Sequence, residues 1–448
     1  MSNPYLTARR HGRPALLSLA AGTLFVATGC NLDVLTPTVV PPSATEGAAA
    51  LPTLQAGAVG DFAVAYGGYN NGNSGEGIVL NSGLFADEFI SADYFSDHKE
   101  IDTRNLATTN ASNTTVLLHL MQALRSAQFA ADGYVAAGQA DSVGHARVLN
   151  LAGMVYTIIA ETYCSGVPFS ALDASGAPVY GGSKSTTEVL DAAIARFDAA
   201  IAAARAARSA TQLNVALVGK ARALQDKGAY AAAAAVAAPV PSDFVFATEQ
   251  GTVDERTKNG IFSLTYKSSR YTTADNEGVN GLLFVTQNDP RVPVEHLGLS
   301  KFDQSTELFA PAKYPSYEAP IPIATGVEAR LIEAEAAFQG GSYPTALGLL
   351  NALRAASSLP DLDPVATRDE QVDQLFNERA FWLFGTAHRL GDLRRLVSRY
   401  QRSANSVFPT GIYFKGGVYS SQVNLRVPQR EEQDNPQYNP GACDPTKA

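Results

Sequence analysis

Glu378-Arg379-Ala-Phe-Trp382-Leu-Phe-Gly-Thr-Ala-His388-Arg389-Leu-Gly-Asp392-Leu-Arg394-Arg395 is the most densely patterned stretch of this 448-residue chain. Thr367 and Glu370 precede it with the spacing of a capping box, so a helix is expected to open there and run through the segment. Glu378, Arg379, Arg389 and Asp392 fall at spacings that let opposite charges meet across helical turns. With Trp382 and Phe384 beside them, partly buried ion pairs would fix the packing of the last helices. Glu378, His388 and Asp392 also have the residue types of an acid–base set. Charge networks of purely structural origin perturb pKa values in the same way, so the structural reading is preferred.

Helical periodicity dominates outward from this point. Thr115 to Ala137 carries Val116, Leu117, Leu120, Met121, Leu124 and Phe129 at spacings of three and four. Val143 to Tyr163 repeats the pattern, and Ser185-Thr-Thr-Glu188 reads as a capping box opening a helix from Val189 to Ala207. Gly228-Ala-Tyr230-Ala-Ala-Ala233 and Gly341-Ser-Tyr343-Pro-Thr-Ala346 share a Gly-x-Tyr-x-x-Ala pattern between helices. Glycine permits the tight turn, tyrosine plugs the paired helices, and alanine allows close approach, which is the logic of tetratricopeptide-like helix pairs. The expected fold is mostly α: a helical scaffold over about 46–239 and 320–402, a loop-rich insertion at 240–320, and a C-terminal loop region at 403–448. The insertion loses alanine and gains Pro, Gly, Asn and aromatic residues, which marks irregular loops with short strands.

The quoted segment resembles the C-terminal helical signature of the SusD/RagB family, lipid-anchored nutrient-binding proteins of the outer membrane. That pattern is Glu-Arg, then Glu-Gly-His-Arg, two residues, Asp-Leu and a basic pair. Glu378, Arg379, His388, Arg389, Asp392, Leu393 and Arg395 stand at matching positions, whereas Trp382 and Thr386 replace acidic residues and Ala387 replaces glycine. Arg330-Leu-Ile-Glu-Ala-Glu-Ala through Leu350-Asn351-Ala-Leu-Arg354, Asn288-Asp289-Pro290-Arg291 and Cys30-Asn-Leu-Asp33 resemble further family elements in the family's order. The chain is identified as a divergent member. The resemblance implies a SusD-like domain over 46–448, a nutrient ligand, most often a glycan, and a SusC-like TonB-dependent transporter as partner.

The N-terminus has the grammar of an exported lipoprotein. Arg9, Arg10 and Arg13 precede a short apolar run from Ala15 to Val26, and Ala27-Thr28-Gly29-Cys30 resembles a lipobox. Residues 1–29 are expected to be removed as a signal peptide and Cys30 lipidated, with 30–45 as a Pro-containing leash. An ordinary signal peptide followed by an incidental cysteine is the competing reading. The run is shorter than the roughly 20 residues a membrane span needs, and no later stretch is read as spanning. Loss of the leader leaves 31 Lys and Arg against 43 Asp and Glu, a net charge of −12, which argues against nucleic acid and a polybasic membrane surface. The family resemblance implies that the anchored protein lies on the outer membrane, facing outward. Cys164 and Cys443 then remain, either as one disulfide in an oxidising compartment or as two separate buried thiols.

No metalloprotease, nucleophile-elbow or Cys-x-x-Cys motif occurs, and the glycines at 176 and 181 lack the lysine of a phosphate loop. The expectation is a binding protein without cofactor or metal. Asp93, Asp97, His98 and Glu100 could hold a structural Ca²⁺, but their spacing matches no ligand loop. Aromatic loops are the better candidates, because sugars stack their C–H faces on rings while Asp, Asn and His bond the hydroxyls. By analogy with the family's binding face, the candidates are Tyr94, Phe95, Asp97 and His98 from one side, and Tyr266, Tyr271 and Asn276 from the other. Many neighbouring aromatics, Phe85 and Phe89 among them, are expected to pack the loops onto the helices. A helical scaffold lipoprotein that binds a peptide or protein without carbohydrate specificity is the alternative from another class.

Overall fold

Leucine, valine and alanine at helical spacing build a series of long helices, each burying its apolar stripe against the next. The computed structural model describes residues 47–72, 74–173 and 177–448. The signal peptide, Cys30 and the leash lie outside the described residues. In chain order the helices are α1 (Leu51–Gly67), α2 (Ile78–Phe85), α3 (Ser96–Asp102), α4 (Ala111–Ala136), α5 (Val143–Thr162), α6 (Thr186–Ala206), α7 (Ala210–Asp226), α8 (Tyr230–Ala237) and the one-turn α9 (Gly260–Phe262). After the insertion follow α10 (Gly326–Gln339), α11 (Tyr343–Ala356), α12 (Arg368–Trp382) and α13 (Arg389–Ser398). Neighbours pack in sequence: α1 on α4, α4 on α5, α5 on α6, α6 on α7, α7 on α8, and α10 on both α8 and α11.

Helix α5 is long and apolar enough to cross a membrane, contrary to the expectation that nothing after the leader reaches spanning length, but it is buried inside the fold. It is the central core helix. Glycines let its neighbours close in: a Cβ on Gly219 of α7 would lie 2.3 Å from the Phe197 ring of α6. Both Gly-x-Tyr-x-x-Ala elements form the turn between paired helices, with Gly228 and Gly341 at φ of 79° and 85°, where only glycine is unstrained. Ala233 and Ala346 are buried where the helices touch.

The signature departs from a continuous helix. The chain leaves α12 at Trp382, turns through Leu383–Ala387 with Ala387 at φ 58°, and starts α13 at Arg389. Its charges therefore meet across this turn and with other helices. Arg379 grips Asp392 through two bonds of 2.9 Å, and Arg395 adds a third to Asp392 at 2.7 Å while bonding Glu335 of α10 at 3.0 Å. Arg389 holds Asp87 in a fork of 2.6 and 2.8 Å. Glu378 accepts from Arg291 of the insertion (2.7 Å), Arg354 of α11 (2.6 Å) and the Trp382 indole (3.1 Å). Three sequence elements far apart in the chain thus converge on one buried carboxylate.

The insertion contributes short two-stranded pieces. Phe89–Ser91 pairs antiparallel with Tyr271–Thr273, Val294–Leu299 with Glu307–Pro311, and Val245–Ala247 with Pro322–Thr325. The C-terminal region folds back over α5, where Cys164 and Cys443 are joined in a disulfide with a Cα separation of 5.2 Å.

Candidate binding cleft

Three loop segments are brought side by side by the Phe89–Ser91 strand. Residue Ile90 pairs with Thr272, and the Thr272 hydroxyl accepts from the Phe309 amide at 2.7 Å, so the 307–311 strand is laid against the same ribbon. From the C-terminal region Lys415 inserts between them. Its ammonium bonds the Asp303 carboxylate (2.6 Å) and the carbonyls of Ser91 (2.6 Å) and Asp93 (2.9 Å). The result is an open cleft of about 580 Å³ walled by Tyr94, Phe309 and Phe414, with Thr273, Ser305 and Glu307 among its polar residues.

Each aromatic wall is held from behind. Tyr94 is 74% exposed, yet its hydroxyl donates to the Asp303 carbonyl at 2.9 Å, which limits where the ring can swing. Phe309 stacks on His296 with centroids 4.9 Å apart. Phe414, 52% exposed, leans edge-on against the buried Tyr413, whose hydroxyl donates to Asp102 at 2.8 Å. The Thr273 hydroxyl is buried and has no hydrogen-bond partner.

Of the residues singled out from sequence, only Tyr94 lines this cleft. Phe95 is half exposed, and its ring shares the Arg270 guanidinium with Phe302 at 4.2 and 4.4 Å. Asp97 accepts from the Ala111 amide at the start of α4 (3.2 Å), which makes it a helix-terminus group. Tyr266 is partly buried against Phe262, and Asn276 is exposed in a left-handed turn at φ 54°. Tyr271 and His98 are interior, so the structure presents neither the Tyr271 ring as a stacking face nor the His98 imidazole at a rim. Their polar atoms are consumed by a buried network: Tyr271 donates to Glu76 (3.0 Å), while His98 lies 3.2 Å from Glu76 and 2.8 Å from Asp93, itself bonded to Arg270 (2.9 Å). Glu100 accepts from Asn110 at 3.0 Å. The carboxylates considered for Ca²⁺ are thus turned to protein partners, and among the described residues no group of three or more His, Cys, Asp or Glu is placed to hold a metal ion.

Sequence reasoning missed Phe414, Lys415 and Glu307 as cleft residues. The available signal was a Phe-Lys pair ahead of Gly416-Gly417, an aromatic presented on a tight loop.

The His98 network has a pH consequence. Burial disfavours the imidazolium, but hydrogen bonds to Asp93 and Glu76 and their charges outweigh it, raising the pKa to about 9. His98 therefore contributes stability that is fully present below its unfolded pKa of about 6.5 and is lost as pH rises through 9. A shift of this size corresponds to about 3 kcal/mol. His98→Gln should flatten the wild-type decline between those pH values in urea unfolding, and an unchanged decline would refute the assignment.

A model of the SusD family matches residues 328–441. No curated protein is significantly similar in sequence. Among solved structures, a SusD-like carbohydrate binding protein from Bacteroides vulgatus ATCC 8482 is 14% identical, with 87% of this chain and 97% of that one covered and a TM-score of 0.64. A surface glycan-binding protein A from Bacteroides uniformis is 12% identical, covers 88% and 99%, and has a TM-score of 0.64. A SusD superfamily protein from Bacteroides thetaiotaomicron VPI-5482 is 14% identical, covers 87% and 99%, and has a TM-score of 0.62. At these identities the structural likeness speaks for the fold.

Proposed function

We propose that this chain, which matches a SusD family model over residues 328–441 and shares the fold of SusD-like structures over most of its length, is a nutrient-binding lipoprotein of the outer membrane. Tethered through Cys30 and facing outward, it captures an oligosaccharide in the Tyr94–Phe309–Phe414 cleft and passes it to a SusC-like TonB-dependent transporter. The observation that carries the ligand class is the pairing of exposed rings with polar groups on one open surface: Tyr94 and Phe414 offer stacking faces, and Ser305 and Glu307 meet hydroxyls. Two of the similar structures are of carbohydrate- or glycan-binding proteins, which supports the same choice. Capture of this kind needs no bond to be made or broken, so the reading is of a binding protein and not an enzyme.

Calorimetry against a panel of neutral oligosaccharides and peptides tests the ligand class. Tyr94→Ala and Phe414→Ala should each weaken glycan binding by about 1–3 kcal/mol, the scale of losing a well-placed aromatic anchor. Thermal stability should hardly change, since both rings are largely exposed. Peptide binding without glycan binding would favour the helical scaffold reading instead. The anchor is tested separately: Cys30→Ser should abolish acylation and move the protein out of the membrane fraction, and a mature protein with unmodified Cys30 would refute it.

A further inference from the structure

A second cavity, of about 340 Å³, shares no residue with the cleft. It opens where the last turn of α5, the first turn of α6 and the end of α7 face one side of α13. Its charged lining comprises Glu161, Asp226, Lys227, Arg394, Arg395 and Arg399. Most of these charges are already matched. Glu161 is gripped in a fork by Arg222, Arg395 is shared between Glu335 and Asp392, and Lys227 pairs with Asp191. Asp226 is matched as well, since its carboxylate accepts from Arg395 at 3.0 Å.

Two cations are left over. Arg394 is 7% exposed and donates from Nη1 to the carbonyls of Ala160 (2.8 Å) and Tyr163 (3.2 Å), at the end of α5. Its Nε has no partner. Arg399 is exposed at the mouth and donates only to the backbone carbonyl of Asp226 at 3.0 Å. Neither arginine has a carboxylate within ion-pair distance among the described residues. Burial lowers the Arg394 pKa to about 10, which still leaves the group charged at neutral pH. The N-terminus of the 21-residue α6 adds the positive end of its dipole. Arg394 is thus a buried guanidinium held by carbonyls beside open volume, with Asp226 and Glu161 acting on it only at longer range, so an anion entering the cavity would pair with it directly.

We propose that this cavity is a binding site for a small oxyanion, a carboxylate or phosphate group, seated between Arg394 and Arg399. The guanidinium fork suits either group, and desolvation inside the cavity strengthens the pairing. The site is independent of the glycan cleft.

Sodium phosphate and sodium acetate are titrated into the purified protein by calorimetry at constant ionic strength. Saturable one-to-one binding is expected for at least one of them, with a Kd of about 1 mM or tighter. Phosphate preferred over acetate assigns a tetrahedral ligand, and the reverse assigns a carboxylate. Arg399→Gln, at an exposed position, should weaken binding by at least about tenfold, and Arg394→Lys, which keeps the charge but loses the fork, by about fivefold. Tyr94→Ala should bind the anion as the wild type does, which separates this site from the cleft. No saturable heat with either anion up to about 20 mM, or equal binding by Arg399→Gln, would overturn the proposal.

Discussion

Asp392→Ala is expected to cost about 3–5 kcal/mol of folding stability, the scale for removing one partner of a buried ion network. Asp392 is 1% exposed and is the carboxylate shared by Arg379 and Arg395. Burial by itself would raise its pKa, but the two guanidiniums overcome that and hold it far below the usual carboxylate range. Removing it leaves Arg379 with only Glu335, at 3.7 Å, and Arg395 with Glu335 and Asp226. Against total stabilities of roughly 5–15 kcal/mol, such a loss moves the urea midpoint substantially. Asp392→Asn keeps the shape and one acceptor and should cost less. A loss below about 1 kcal/mol for the alanine variant would mean that the network is not an essential brace. Because the residue lies in the helical body, folded variant protein should keep its cleft affinity.

Breaking the Cys164–Cys443 disulfide is expected to cost about 2–4 kcal/mol. The two residues are 279 apart, so the bridge restricts a very long loop in the unfolded chain. Its native surroundings are ordered on both sides. The Cys164 amide donates to Leu425 at 2.9 Å, Val423 donates to Pro445 at 2.7 Å, and Gly166 sits where an added Cβ would lie 2.7 Å from Ala442. Cys443→Ser should lower the unfolding midpoint, and added reductant should lower that of the wild type but not of the variant. Non-reducing peptide mapping provides the direct check. Free thiols at both positions in protein from its native compartment, or insensitivity of the wild type to reductant, would refute the bridge.

Period and punctuation made the scaffold legible. The helices from Ala111 to Ala206, the capping boxes at Ser185 and Thr367, and the glycine turns at 228 and 341 each depend on residues within a few positions of one another. Local backbone chemistry is a function of local sequence, so these features could be read without knowing the fold. The break at Leu383–Ala387 was not legible, because a run of apolar and small residues continues a helix equally well. There Gly385 and Ala387 take φ of 67° and 58°, and the Arg379–Asp392 pair ties together the two helices on either side.

The cleft belongs to the same second kind of fact. Exposure was the property that would have separated Tyr94 from Tyr271, and the sequence is silent on it. Both are tyrosines in aromatic, polar loops, but Tyr271 is sealed by Glu76 and His98 whereas Tyr94 projects into solvent. Phe414 enters the site from more than 300 residues away in sequence, held by Tyr413 against Asp102. The sequence by itself determined the helical scaffold, its pairing turns and the charged signature, because those are written in short-range spacing. Only the tertiary structure decided which rings face solvent and which guanidiniums lack a counter-ion, because burial and charge balance are sums over neighbours that the fold brings together.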